Sequence, residues 1–270
     1  MNQLFQSKHV IVTGGAKGIG RCICEAFLRE GAAVSIIDVD KEAGERQKDK
    51  HKELRFFHGD VADKTVLENF VSSLDSPADC LVNNACLSRR GLLQGGILPT
   101  GFLPADRKAD CSYDDFEYVQ RVGVTAPYYL TSLLIQTNKL AEGAAIINIA
   151  STRAFQSQAN TESYSAAKGG IYALTHAMAI SLAGRARVNS ISPGWIDTAA
   201  WHEGKTVSEH SEQDKRQHPA GRVGRPEDIA EMVLYLCSDK AGFITGENIT
   251  IDGGMSLLMV YHGDRGWSLK

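Results

Sequence analysis

Tyr164 and Lys168 lie four residues apart in Ser163-Tyr164-Ser165-Ala166-Ala167-Lys168, and Ser151 stands thirteen residues before Tyr164. On a helix an i,i+4 pair shares one face, which sets the Lys168 ammonium beneath the Tyr164 phenol. A neighbouring cation favours the phenolate, so a tyrosine placed this way can take and return a proton near neutral pH. A serine just past a strand could hydrogen-bond the same substrate oxygen. Taken alone, Tyr and Lys at this spacing describe many ordinary surface helices. The N-terminal region changes that reading.

His9-Val10-Ile11-Val12-Thr13 reads as a short buried strand, followed by Gly14-Gly15-Ala16-Lys17-Gly18-Ile19-Gly20 and an amphipathic run from Cys22 to Arg29. A strand, a glycine-rich turn and a helix N-terminus together form a phosphate cradle. The glycines let backbone approach a pyrophosphate, and the helix dipole favours its charge. A second apolar strand, Ala33 to Ile37, ends in Asp38, eighteen residues after Gly20. An acidic residue there can accept hydrogen bonds from an adenosine ribose.

This combination resembles the short-chain dehydrogenase/reductase family over nearly the whole chain. The likeness rests on T-G-x-x-x-G-I-G at Thr13 to Gly20, Asp60-Val61, Asn83-Asn84-Ala85, and Ser151, Tyr164 and Lys168 at the family's spacing. Pro193-Gly194-Trp195-Ile196-Asp197-Thr198 and the stretch Gly246 to Gly254 look like its later signatures. The resemblance implies hydride transfer between a nicotinamide and a carbon bearing a hydroxyl or carbonyl. Tyr164 would be the acid/base, Ser151 would hold the substrate oxygen, and Lys168 would also bind the nicotinamide ribose. Gly14, Lys17, Gly18, Ile19, Gly20, Asp38, Asp60, Val61, Asn84, Ala85, Pro193, Gly194, Ile196 and Thr198 would join Tyr164 and Lys168 in binding the cofactor. Thr198 would meet the carboxamide. No metal is required, and the histidines show no ligand spacing.

Asp38 would repel a 2′-phosphate, and Val39 stands where phosphate-binding relatives often place arginine, so NAD is the expected cofactor. Lys17 points the other way, toward NADP, because a basic residue there assists phosphate binding in some relatives. Two departures from the family pattern stand out. Gly123 occupies the place of an asparagine that holds a water on the proton path to the lysine, in Gly123-Val124-Thr125-Ala126-Pro127. A glycine can leave room for another water there, so asparagine at this position is expected to be tolerated. Cys86 replaces the glycine that usually follows Asn-Asn-Ala, which implies changed packing beside the cofactor. An NADPH-dependent carbonyl reductase and a dinucleotide-binding sensor with little turnover are the alternatives to an NAD-dependent dehydrogenase.

The elements that must position these residues alternate strand and helix along 270 residues without a composition shift, linker or repeat. That order predicts an α/β fold: one Rossmann-like domain, 1–270, with a doubly wound parallel sheet of about seven strands and helices on both faces. Ligands bind at the carboxyl ends of such strands, where every motif above falls. One helix is expected from Tyr113 to Thr137 and the catalytic helix from Glu162 to Ala183. A polar substrate loop spans 194–224, and a tail 256–270.

Substrate choice falls to that loop and to the segment 87–110, about a dozen residues longer than usual for the family. His202, His210 and His218 in the loop could meet a polar, sugar-like substrate, or simply stand exposed. The two long helices carry apolar residues on more than one face, Tyr128, Leu130, Leu133 and Leu134 on one and Ile171, Leu174, Met178 and Leu182 on the other. A second surface to cover them implies a homotetramer, as in many relatives.

A net charge of −3 with scattered lysines and arginines offers no case for nucleic acid, and no apolar run approaches a membrane span. Of the six cysteines (22, 24, 80, 86, 111 and 237), Cys22 and Cys24 lie two apart on an expected helix and point in different directions, which suits neither a disulfide nor a metal clip. Cys80 and Cys237 read as small core residues, and reduced thiols suit a cytoplasmic protein. The expected partner is a small alcohol or ketone.

Overall fold

The computed structural model describes residues 3–87, 97–98, 101–102, 112–158, 160–259 and 261. Seven parallel strands form one sheet in the order β3-β2-β1-β4-β7-β8-β9. They are β1 (His9–Thr13), β2 (Ala33–Asp38), β3 (Leu54–His58), β4 (Ala78–Asn83), β7 (Leu140–Ile149), β8 (Ala186–Pro193) and β9 (Asn248–Ile251). A separate antiparallel pair, β5 (Ile97–Leu98) and β6 (Gly101–Phe102), falls in the long segment after β4. The rest of 88–111 lies outside the described residues, and with it the expectation that this insertion shapes the substrate site.

The strands read as continuous apolar runs because both faces of the sheet are covered. Alternation sorts their side chains between two cores. Val10 and Val12, Val34 and Ile36, Ala145 and Ile147 face one core with Ile23 and Phe27 of α1 (Gly18–Arg29) and Ile229 and Val233 of α8 (Pro226–Cys237). Ile11, Ile37, Leu81 and Ile146 face the other, with α3 (Lys64–Ser72), α5 (Ala126–Gln136) and α6 (Glu162–Ser181). Cys80 and Cys237 are buried, and among the described residues every cysteine is a free thiol. Two further helices lie at the surface: α2 (Lys41–Lys50), capped by the Asp40 carboxylate, and α7 (Glu212–Arg216) within the expected polar loop. No described helix is long and apolar enough to cross a membrane.

The helix expected from Tyr113 to Thr137 runs without a break through α4 (Tyr113–Gln120) and α5, with a π-helical turn over Arg121–Thr125 between them. Gly123 sits inside that turn and is buried. The wider turn brings the backbone against α6, where a Cβ at Gly123 would stand 2.9 Å from the Ala167 Cβ. Reciprocally, a Cβ at Gly170 would stand 2.8 Å from a Val124 methyl. The space is filled by the neighbouring helix, so the expectation of room for water or an asparagine side chain does not hold.

The oligomer argument also changes its residues. Leu130, Leu133, Leu134, Ile171 and Met178 are buried in the protomer's own core, and Leu174 and Leu182 pack against it. What stays uncovered is Tyr128 on α5, 56% exposed, and Tyr172 and Ile180 on α6, 42% and 79% exposed.

Candidate active site

In the observed strand order β1 lies between β2 and β4, which leave it in opposite directions, so a crevice opens beyond its carboxyl end. Thr13, the last residue of β1, fixes that crevice. Its hydroxyl accepts from the backbone N–H groups of Asn84 and Ala85, each at 3.0 Å. The Asn84 side-chain amide donates to the carbonyls of Thr13 (3.1 Å) and Gly14 (2.9 Å). Asn84 therefore stitches the turn after β1 to the turn after β4, a role in shaping the cleft that its motif did not reveal. Gly14 and Gly18 have φ of +66° and +57°, which L side chains rarely adopt. A Cβ at Gly14 would also fall 2.9 Å from the Ala85 Cα.

The result is a cleft of about 390 Å³ lined by Gly14, Lys17, Gly18, Ile19, Gly20, Asp38, Asp60, Val61, Asn84, Ala85 and Thr198 among others. Asp38, at the end of β2, is aimed by two backbone donors, Ala16 N–H at 2.9 Å and Asp40 N–H at 2.9 Å. Asp60 accepts from Ala62 N–H at 2.9 Å and the Tyr118 hydroxyl at 2.6 Å. These residues fit a dinucleotide: a glycine cradle that side chains would obstruct, a helix N-terminus, and an oriented carboxylate at the carboxyl end of the neighbouring strand. Cys86 is exposed and also lines this cleft. Pro193, Gly194 and Ile196 do not line it. Gly194 packs on Asp252, and Ile196 packs on the core beside Gly224.

Among the lining residues that the sequence did not assign to the cleft, two carry polar side chains, Tyr118 and His202, the latter expected only as a possible substrate contact. Tyr118 reaches the cleft from α4, and His202 reaches it from the loop after β8, at 3.4 Å from the Thr198 hydroxyl. Burial, with Lys205, Lys17 and Arg21 nearby, holds the His202 imidazole below the usual histidine pKa. Neither carries a local motif; only the folding of the loop over α1 brings His202 to Gly18. The other loop histidines are corrected. His218 is 2% exposed and His210 is mostly covered, and both pack on the Trp195 ring at 5.9 and 5.5 Å between centroids. His210 is paired with Asp197 at 3.2 Å. They are structural members of an ordered loop rather than exposed side chains.

Ser151, Tyr164 and Lys168 gather at the carboxyl end of β7. Ser151 is buried, and its hydroxyl accepts from Arg153 N–H at 3.2 Å. Lys168 is 3% exposed; its ammonium donates to the Ile149 carbonyl at 2.6 Å and lies 5.5 Å from the centre of the Tyr164 ring. The i,i+4 relation is thus realised on α6 as the spacing predicts. The Tyr164 hydroxyl, half-buried, has no hydrogen-bond partner among the described residues and is open to a substrate oxygen. A buried polar chain holds α6 to the sheet: Asn83 Nδ2 to Asn148 Oδ1 at 2.8 Å, then Asn148 Nδ2 to the Thr175 hydroxyl at 2.9 Å.

A doubly wound sheet with a glycine cradle after β1 and a Ser-Tyr-Lys cluster after β7 defines a nucleotide-dependent oxidoreductase architecture, and comparison with known proteins agrees. A family model described as enoyl-(acyl carrier protein) reductase matches residues 14–256, and the chain belongs to the short-chain dehydrogenase/reductase family, oxidoreductases that generally use NAD or NADP.

Among its relatives, an uncharacterized oxidoreductase of Thermotoga maritima is 40% identical, over 96% of this chain and 99% of that protein. A 3-oxoacyl-(acyl-carrier-protein) reductase of Chlamydia pneumoniae is 33% identical, over 95% of this chain and all of that protein (100%). The structure is similar to an apo SCOR enzyme of Clostridium thermocellum, with 44% identity, a TM-score of 0.81, and 97% and 98% of the two chains covered.

Proposed function

We propose that the protein interconverts a secondary alcohol and a ketone by NAD-dependent hydride transfer, with Tyr164 as acid/base and Lys168 and Ser151 assisting. The observation that carries this reading is Lys168. A buried ammonium is costly, and this one has a single protein acceptor and no carboxylate partner among the described residues. Its ammonium stands 5.5 Å from the centre of the Tyr164 ring, so a positive charge lies beside the phenol that would exchange a proton with substrate.

When bound, the nicotinamide supplies or receives the hydride. Ser151 donates to the substrate oxygen and steadies its changing charge. Gly14, Gly18, Ile19 and Gly20 would hold the pyrophosphate and Asp38 the adenosine ribose, with Thr198 toward the nicotinamide. We further propose a homotetramer acting on a small alcohol or ketone in the cytoplasm. The relatives named as 3-oxoacyl reductases support a second reading, an NADPH-dependent carbonyl reductase working in the opposite direction.

A screen of alcohols, polyols, sugars and hydroxysteroids with NAD and NADP, followed by the absorbance of reduced cofactor, tests the reading. Turnover is expected with NAD. Tyr164→Phe is expected to lower it by a factor of about 10² to 10⁴ while leaving cofactor affinity nearly unchanged. Tight cofactor binding without turnover on any substrate would replace the enzyme with a dinucleotide sensor.

A further inference from the structure

Lys17 is the only lysine or arginine among the described residues that line the nucleotide cleft. A 2′-phosphate, which needs cationic partners, could look only to this side chain there, because Val39 contributes no charge at the cleft mouth. Lys17 is already engaged. Its ammonium is ion-paired with the Asp40 carboxylate, and both side chains are about one-third exposed, at 39% and 32%.

Asp40 is fixed in place from three sides. Its second oxygen accepts from Ala43 N–H at 2.9 Å, capping α2. Its own N–H donates to Asp38 at 2.9 Å. The hydrogen bond from Lys17, then that from Ala43, hold its carboxyl below the usual carboxylate range. The two carboxylates are thus locked on one side of the cleft mouth, with the lone cation turned toward the outer one.

We propose that Asp40 is a second determinant of cofactor choice, a positioning residue that excludes a 2′-phosphorylated dinucleotide by holding Lys17 away from the phosphate. This rests on the NAD reading above and deepens it. Asp38 acts on the ribose directly, by accepting its hydroxyls and repelling a phosphate. Asp40 acts through Lys17. The arrangement predicts that the two effects separate by mutation.

Asp40→Asn keeps an oxygen for the Ala43 N–H, so α2 retains its cap while the ion pair is lost. Dissociation constants of NADH and NADPH, measured by titration calorimetry on wild type, Asp40→Asn, Lys17→Met and the double variant, decide the matter without any substrate. The NADPH constant is expected to fall about three- to tenfold in Asp40→Asn, with NADH within about twofold, in keeping with a partly exposed pair. That gain is expected to vanish in the Lys17→Met background.

A wild type that binds NADPH more tightly than NADH would overturn the NAD reading and this proposal with it. A wild type that prefers NADH, with an unchanged NADPH-to-NADH ratio in Asp40→Asn, overturns the proposal alone. So does a gain that persists without Lys17, since Asp40 would then act by its own charge.

Discussion

Gly123 and Ala167 meet across the joint between the π-helical turn and α6, one residue before Lys168. A Cβ at Gly123 would stand 2.9 Å from the Ala167 methyl, too close for real side chains. The partner is a short, rigid group that cannot swing aside. Gly123→Asn is therefore expected to destabilise the protein by about 1–3 kcal/mol, read as a lower midpoint in a denaturant melt. Adding Ala167→Gly should recover part of that loss, because it removes the atom in contact. A variant as stable as wild type would show that α6 can retreat and that the glycine is not required by packing. At the same scale, His9 at the start of β1 is buried and held by Ser35 at 2.9 Å and by the carbonyls of Ser76 and Pro77. Burial pushes its imidazole pKa below the usual value, against the pull of those two carbonyls. The unfolded chain then binds the proton first. Stability is present above the unfolded histidine pKa of about 6.5 and is lost as pH falls through the lower folded value. Chemical melts across mildly acidic pH should show that loss in wild type and a flatter profile in His9→Gln.

At the level of elements, α6 carries both Tyr164 and Lys168, and its register on the sheet sets where they stand relative to Ser151. The Asn83–Asn148–Thr175 chain is what fixes that register, since apolar packing alone tolerates sliding and a buried amide does not. Thr175→Val removes the hydroxyl and leaves the Asn148 amide unpaired in the core. The expected cost is about 1–3 kcal/mol of stability, whereas Thr175→Ser should lose much less. Equal stability of the valine and serine variants would show that the hydroxyl does not anchor the helix. The loop after β8 is held in a comparable way. Asp197 accepts from the backbone of Ala199 and Ser208 and from His210, at 2.9, 2.8 and 3.2 Å. Its carboxylate gathers the loop so that Thr198 and His202 face the cleft.

On the outside of the protomer, the exposed Tyr172 and Ile180 fall on one side of α6, which packs against α4 and the π-helical turn, and Tyr128 is exposed on α5 just beyond that turn. Residues 172, 176 and 180 recur every four positions, and the exposed alanines 173 and 177 lie between them. Here Tyr172 and Ile180 flank His176, and small residues between larger ones allow another helix to approach closely, so this surface suits a two-fold contact with a second protomer. A homotetramer is the expected assembly in sedimentation at micromolar concentration. Tyr172→Glu with Ile180→Glu should reduce its mass while preserving the circular dichroism of the fold. A wild-type monomer would remove the assembly altogether.

The architecture and the placing of Lys168 beside Tyr164 were legible before any folding, because both are written in local spacing. Apolar strand runs give a sheet covered on both faces, the glycines after β1 require special backbone angles, and i,i+4 places Lys168 against Tyr164 whatever the rest of the chain does. Other features depend on which segments meet, and these appear only in three dimensions. Whether Gly123 faces water or Ala167 depends on the approach of α6, which no pattern around residue 123 encodes. Leucines 130, 133 and 134 look alike in sequence whether they serve the core or an interface, and only the sheet beneath them assigns them inward. Lys17 and Asp40 are separated by a helix and a strand, so their pairing, like the arrival of His202 at Gly18, exists only once the chain has folded back on itself.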